Sequence, residues 1–487
     1  MNGGANAPRF MKGKEGGRGM EKKGTNERAL PEVFLTRMKT ILGDDYAAFL
    51  SASDAPPVRG LRVNPAVDAG VLADLPLRAI PGIGGAYFLD TDEKIGRHPL
   101  HHAGAFYLQE PAAMLPVAAA QAEGLIPRGC RALDLCAAPG GKTFQIASAV
   151  GGDGLLVSNE IIPSRCAVLA GNVERLGLDH VVVTNADSRA FGEYLPGFFD
   201  LLVVDAPCSG EGMFRKTPEA IGEWTPASPA SCSTRQRAIL ENALPCLRAG
   251  GALVYSTCTY SPEENEETVA WLLDRYPALE LVPVSDQTIL SYTDPGLARE
   301  GVPAGATRRH YPHSGGGRFG GEGQFFALFR LTAPVASTRP PSEKSGGEER
   351  LPKSGLALVE AFFDATLTRR PATEPALFKG RITLPPAPLP LPEKLICANG
   401  VTVGEIRSGR LVPHHAFFSA YGRDCARKLN FSEGDPALAA YLHGDVIPAP
   451  DTPDGWGAVL CSGVPIGGAH IVGGSAKNAY PKGLRRN

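Results

Sequence analysis

No run of apolar residues in this 487-residue chain is long enough to cross a bilayer, so no membrane partner is expected. The first 28 residues are Gly-rich and polar, without the apolar stretch of a secretory signal, and a cytoplasmic protein is the expectation. The ten cysteines include no CxxC pair and no regular spacing, which argues against a disulfide framework and a zinc site. No metal is expected, and free thiols suit a reducing compartment. An excess of either charge is lacking too. With 49 Lys and Arg against 51 Asp and Glu the net charge is −2, so a nucleic acid would have to be met by locally positive surface. Residues 1–28 hold seven Lys or Arg against three Glu, although a solvated, disordered tail is the plainer expectation there.

What is present fits a folded protein of several domains: 43% of residues are hydrophobic and 21% charged, and single cores stop growing near ~250–300 residues. The middle of the chain alternates short Val/Leu-rich runs with helical patterns. Strands are expected at 131–136, 154–159, 180–184, 200–205 and 251–256, with a last pair at 279–283 and 324–331, and helices between them, as at 163–176 and 234–248. Continuous apolar strands alternating with helices predict an α/β fold with a parallel sheet covered on both faces. Ligands then gather at the C-terminal strand ends.

The first strand runs into Cys136-Ala137-Ala138-Pro139-Gly140-Gly141-Lys142-Thr143, a sharp turn that opens a helix. A strand, a tight Gly turn and a helix N-terminus form a nucleotide-binding half-unit. The turn lacks G-x-G-x-x-G, which weakens a dinucleotide reading. Gly141, Lys142 and Thr143 fit the end of a phosphate loop, but Cys136 stands where that loop has its first Gly, so an ATPase is a weakened alternative. An S-adenosylmethionine site is the third reading.

Acidic residues follow successive strand ends: Glu160, Asp187 and Asp205. Any one alone is better explained as a helix cap or surface acid. Together, with Glu160 about 20 residues beyond the Gly turn where ribose hydroxyls are usually held, they favour a nucleoside ligand. Asp187 would then meet the adenine amino group. Cys208 lies just past Asp205, and Cys258 just past Ser256 at the next strand end. Neighbouring strands are ~4.8 Å apart, so both thiols should face one cleft. A lone Cys is usually buried filler; two in polar turns beside a nucleoside site are not. Such a set suits methylation of pyrimidine carbon 5, a weak nucleophile until a thiolate adds at carbon 6. Asp205 is placed to hold ring nitrogen 3. Lys142, Arg215 and Lys216 are candidate cations for stabilising a thiolate.

On these motifs the chain resembles the Nol-Nop-Sun (NSUN) family of RNA 5-methylcytosine methyltransferases. The resemblance rests on Leu135 to Thr143, Asp205-Ala206-Pro207-Cys208-Ser209-Gly210 and Ser256-Thr257-Cys258-Thr259. Arg62-Val63-Asn64-Pro65, Tyr107-Leu108-Gln109-Glu110 and Gly321-Glu322-Gly323-Gln324-Phe325-Phe326 add to it, and it runs from about residue 30 to 332. It implies a Rossmann-like methyltransferase domain in which Cys136, Ala137, Ala138, Pro139, Gly140, Gly141, Lys142, Glu160, Asp187 and Asp205 hold S-adenosylmethionine. It also implies that Cys258 is the nucleophile and Cys208 assists product release, a ranking the residues themselves leave open. Asn478 to Arg485 resembles the end of the bacterial RsmF-like subgroup, which carries a PUA-like RNA-binding module and methylates small-subunit ribosomal RNA.

The expected organisation is a basic tail (1–28), an α+β RNA-binding domain (29–103), the methyltransferase domain (104–332), a linker (333–352), a small domain (353–424) and a β-rich PUA-like module (425–487). Gln109 and Glu110 are expected first as turn or cap residues and second in a substrate role. Arg308 to His313 is expected either to contact RNA phosphates or to form a flexible surface loop. The expected partner is 16S ribosomal RNA or the small subunit, bound by a monomer. The competing class is a non-catalytic ribosome-assembly factor on a methyltransferase scaffold.

Overall fold

Val and Leu runs that alternate at period two between two buried faces decide the centre of the molecule. In the computed structural model, which describes residues 30–337 and 350–485, the basic segment 1–28 and most of the linker at 333–352 lie outside the described residues. An N-terminal antiparallel sheet holds β1 (Gly60–Val63), β2 (Leu77–Ala79), β3 (Ala86–Leu89) and β4 (Phe106–Leu108), in the order β2-β3-β1-β4. The central sheet is built on β5 (Arg131–Asp134), β6 (Leu155–Asn159), β7 (Val181–Thr184), β8 (Phe199–Asp205) and β9 (Leu247–Thr257), all parallel, in the order β9-β8-β5-β6-β7. The chain adds β10 (Leu279–Leu281), β11 (Asp294–Pro295), β12 (Arg308–His310) and β13 (Gln324–Leu331), antiparallel, beyond β9.

Ala132, Leu156, Val183, Val203 and Val254 pack on one face with Phe144, Ile146 and Leu169 of the helices Gly141–Val150 and Pro163–Arg175. Leu133, Val157, Val182, Leu202 and Leu253 pack on the other with Phe191, Leu240 and Leu272 of Arg189–Tyr194, Ser228–Ala243 and Glu266–Arg275. Both faces are therefore covered, as a parallel sheet requires. At the strand ends, Asn159 Nδ2 donates to the carbonyls of Leu135 (3.1 Å) and Ala186 (3.0 Å), pinning three strand ends together. Thr143 Oγ1 donates to Asp134 Oδ2 at 2.7 Å and ties the helix start to β5.

Beyond the linker, the helix Lys353–Thr366 precedes β14 (Ala376–Phe378), β15 (Arg381–Leu384), β16 (Ile396–Asn399), β17 (Val401–Arg407) and β18 (Arg410–Pro413). Strands β14-β15-β17-β18 form a separate sheet. The last module is a five-stranded sheet of β19 (Lys428–Phe431), β20 (Ile447–Pro448), β21 (Gly455–Cys461), β22 (Val464–Val472) and β23 (Ser475–Asn478), in the order β19-β21-β22-β23-β20. No helix among the described residues is long and apolar enough to cross a membrane.

Three arrangements differ from the sequence-based expectation. Strand β16 pairs antiparallel with β7 and completes the edge of the methyltransferase sheet, so residues 353–424 are not self-contained. The first helices, Glu32–Leu42 and Tyr46–Ser53, pack Phe34, Met38 and Phe49 on Phe214, Trp224, Tyr260 and Tyr311 of the methyltransferase domain, while the N-terminal sheet shares an apolar core with Leu429, Leu438 and Ile466 of the last module. Arg308 to His310 is neither a flexible loop nor an exposed phosphate clamp: it is buried β12, and Arg309, 1% exposed, is paired with Glu266 (Nε to Oε1, 2.6 Å).

Two outcomes follow. Arg309→Met should leave Glu266 buried without its partner and cost about 3 kcal/mol or more, read as a large drop in Tm. Asp134 is completely buried, and burial pushes its carboxyl up from 3.8 to about 7, against the opposing bond from Thr143. The folded state thus holds a proton that the unfolded chain releases, so stability present below about 4 is lost as pH rises toward 7. Asp134→Asn should reduce this slope in Tm measured across the same range and raise Tm on its alkaline side.

Candidate active site

Five parallel strands deliver the predicted site residues to one edge of the sheet. The register of β8 with β9 sets Asp205 opposite Ser256, and Ser256 Oγ donates to Asp205 Oδ1 at 2.7 Å. The two turns that follow are therefore neighbours, and Cys208 Sγ lies 3.3 Å from Cys258 Sγ. Both thiols are half-buried and free. Gly212 N donates to Cys258 O at 2.9 Å, and a Cβ at Gly212 would stand 2.5 Å from Gly323 Cα. Only glycine lets these two backbones meet beneath the thiols.

Lys142 is the cation that reaches this edge: Nζ lies 2.9 Å from Asp205 Oδ2. Arg215 does not serve the thiols, contrary to its candidacy in the sequence. It is 9% exposed, salt-bridged to Glu322 at 3.0 Å and bonded to the carbonyls of Ala52 and Gly320, a brace for the site's floor. Lys216 is exposed. The hydrogen bond to Cys258, together with burial, pushes the Cys208 thiol well above its ordinary range.

The turn from Cys136 to Gly141 is held from behind. Ala137 N donates to Asn159 O (2.8 Å), Arg165 Nη2 to Ala138 O (2.8 Å) and Asn172 Nδ2 to Pro139 O (2.9 Å). Gly140 adopts φ +116°, and a Cβ there would stand 3.2 Å from Leu169 Cδ1, so the turn requires glycine. The helix beginning at Gly141 leaves its first amides without intrahelical partners. Glu160 is 3% exposed; its Oε1 accepts from Ile162 N (2.9 Å) and its Oε2 pairs with Arg165 (3.2 Å). Asp187 lies at the exposed rim, where, against partial burial, bonds from Arg189 N and Nε hold its carboxyl below the usual range. Asp134 Oδ1, buried beneath the turn, has no hydrogen-bond partner. A glycine cradle, open helix amides and three acids in strand order fit a nucleoside carrying polar groups along its length.

Glu110 is a cap residue, as expected: it accepts from Ala112 N (3.0 Å), Ala113 N (2.8 Å) and Glu322 N (2.9 Å), whereas Gln109 is buried just past β4, its backbone N bonded to Gly60 O (3.0 Å). Sequence reasoning missed Glu211, Gln236 and Glu264, buried polar residues that tie the two thiol turns together. Glu211 sits three residues past Cys208 and Glu264 six past Cys258, a proximity to the thiols that was the available signal.

Comparisons with known proteins agree with this geometry. Residues 127–330 match the 16S rRNA methyltransferase RsmB/F family, residues 30–111 the N-terminal domain of 16S rRNA methyltransferase RsmF, and residues 428–486 the RsmF PUA domain. The chain is 35% identical to ribosomal RNA small subunit methyltransferase F of Cronobacter sakazakii, over 94% of this chain and 97% of that protein. It is 33% identical to the protein of the same name from Klebsiella pneumoniae, with the same coverage. A solved methyltransferase homologue from Pyrococcus horikoshii superposes with a TM-score of 0.51 at 28% identity, covering 62% of this chain and 95% of that one. The phosphate-loop ATPase reading is thereby set aside. A glycine cradle, an ordered row of acids and a thiol pair on one sheet edge, flanked by matched N-terminal and PUA modules, make this chain a member of the RsmF family of S-adenosylmethionine-dependent 16S ribosomal RNA methyltransferases.

Proposed function

We propose that the protein methylates carbon 5 of a cytosine in small-subunit ribosomal RNA through a covalent adduct with Cys258. The observation that carries this reading is the pair of thiols at 3.3 Å beside the Lys142–Asp205 ion pair. S-adenosylmethionine, held by the turn 136–142 with Glu160, Asp187 and the Asp205 rim, supplies an electrophilic methyl group. The chain's own residues make the cytosine reactive enough to accept it.

Cys258 Sγ, as thiolate, forms a bond to carbon 6 of the ring. The 5,6 double bond opens, and its electrons become available at carbon 5 as an enamine. The negative charge that accumulates toward ring nitrogen 3 would be met by a proton shared from the Lys142–Asp205 pair, which takes it back when the 5,6 double bond re-forms. Once carbon 5 carries the methyl group, a base removes its remaining proton, the 5,6 double bond re-forms and the carbon 6–sulfur bond breaks. Cys208, in contact with the leaving sulfur, assists that release. The target base must be unpaired or flipped out to reach both sides of this edge. RNA capture is assigned to the N-terminal sheet and the PUA module.

Mixing RNA or small subunits with S-adenosylmethionine and each variant, then resolving RNA-bound protein on a denaturing gel, tests the roles. Cys208→Ala should accumulate a covalent adduct; Cys258→Ala should form none and transfer no methyl. Adduct in Cys258→Ala alone would reverse the assignment. Asp205→Ala should slow single-turnover methyl transfer by roughly 100-fold or more, with little change in RNA retention on a filter.

A further inference from the structure

Between the two thiol turns runs a chain of oxygen atoms for which the steps above have no use. Glu264 Oε1 touches Ser209 Oγ. Ser209 Oγ lies 2.7 Å from Thr259 Oγ1, which in turn lies 3.0 Å from Glu211 Oε2. Ser209 directly follows Cys208 and Thr259 directly follows Cys258. The middle contact is therefore a cross-link between the two thiol turns.

A hydrogen bond between two oxygens needs one proton. This chain has three such contacts, and its two hydroxyls supply two protons. Ionised carboxylates supply none. If both ends were ionised, each hydroxyl would turn its proton outward, and Ser209 and Thr259 would face each other lone pair to lone pair at 2.7 Å. The third proton has to sit on a carboxyl. Glu211 takes donors on both oxygens: Trp224 Nε1 (3.1 Å) on Oε1, and Tyr260 N (3.2 Å) with Thr259 on Oε2. Glu264 receives Ser209 N (3.0 Å) and Gln236 Nε2 (2.7 Å) on Oε2, which leaves Oε1 to carry the proton. Tyr255 Oη, donating toward Glu264 O (2.6 Å) and 3.0 Å from Gln236 Oε1, fixes this end of the chain.

We propose that Glu264 is a positioning residue: protonated at Oε1, it directs hydrogen bonds through Ser209 and Thr259 to Glu211 and holds the two thiol turns in contact, and loss of that proton breaks the Ser209–Thr259 link. The consequence for methyl transfer rests on the thiol roles given above; the location of the proton does not. Burial pushes the Glu264 carboxyl up to about 7, with the Glu211 charge adding to it against the bonds from Ser209 and Gln236. The other titratable groups facing it are Arg37, the thiols of Cys208 and Cys232, and Tyr255. The link should therefore hold below neutrality and weaken above it.

Infrared difference spectroscopy on the full chain, without RNA or S-adenosylmethionine, reads the proton directly. Raising pH from about 6 to about 8.5 through the titration of Glu264 should remove a carboxylic C=O component that is missing in Glu264→Gln and retained in Glu211→Gln. The Asp134 component is separated by its loss in Asp134→Asn. A Glu264→Gln spectrum with every wild-type component would overturn the proposal. The second readout is single-turnover methyl transfer across the same pH range. Glu264→Ala should lose about tenfold or more. Glu264→Gln, which keeps a donor in place of the proton, should rescue most of that loss and keep its rate where wild type declines. Equal losses in the two variants, or one shared pH profile for wild type and Glu264→Gln, would place Glu264 in a purely structural role and sink the idea. If the infrared result holds while no protein transfers methyl to cytosine, the proposed reaction fails and the proton assignment stands.

Discussion

The parallel pairing of β8 with β9, in the register that sets Asp205 opposite Ser256, is the constraint on which the site depends. Strand spacing is ~4.8 Å, so turns leaving those two ends must run side by side, and thiols within three residues of each end are driven into contact. A slip of one residue would send alternate side chains to the opposite face. The sheet resists it because Leu202 and Val204 of β8, with Leu253 and Tyr255 of β9, fill one apolar face, while Leu201, Val203, Ala252 and Val254 fill the other. The chemistry at the strand ends is thus specified by packing further down the same strands.

Holding two polar turns in a nearly dry place has a cost, since each buried polar atom left unpaired loses about 1–3 kcal/mol. The structure meets it with buried, paired groups around the thiols. Arg215 with Glu322 and Arg309 with Glu266 are two such pairs. Arg309 Nη1 also donates to the carbonyl of Tyr260, two residues past Cys258. These pairs are weak evidence of net stability, because desolvation of both charges opposes their attraction. Their directional bonds to backbone carbonyls fix where the turns run, and that is the property a thiol pair at 3.3 Å requires.

Much of the central sheet was legible because period-two burial on two faces writes itself as Val/Leu runs: β13 was read at its observed limits, and β5 to β8 within two residues. The placement of Cys136 to Lys142, Glu160, Asp187, Asp205, Cys208 and Cys258 along one edge was legible because each is anchored to a strand end, so counting strands orders them in space. Partnerships across distant parts of the chain were not legible. Arg308 to His310 looked like basic surface, since nothing local in Arg-Arg-His signals that Glu266 waits in the core. The pairing of β16 with β7 was missed because four residues between a proline-rich connection and Gly400 carry too little periodicity to show which sheet they join. Glu264 was missed because in the run Glu263 to Glu267 a buried acid has the same local pattern as a solvated one, and Glu211 because a single acid between two glycines reads as an exposed turn.

The modules around the sheet attach at different places on it. Strand β16 covers the unpaired edge of β7 and removes an aggregation-prone template. In the order β9-β8-β5-β6-β7 that edge is four strand intervals from β9, about 19 Å at the usual spacing. The small domain carrying β16 is therefore anchored away from the thiols. The last module instead packs on the N-terminal sheet through Leu429, Leu438 and Ile466 against Leu61, Val63 and Phe106, with His98 2.9 Å from Glu433 at its rim. The N-terminal sheet and the last module thus share one apolar core. The first helices complete the link. Phe34, tilted, and Phe49, edge-on, pack against Tyr260, and Arg37 pairs with Glu263 at 2.7 Å, so the N-terminal segment is anchored directly on the turn that follows Cys258.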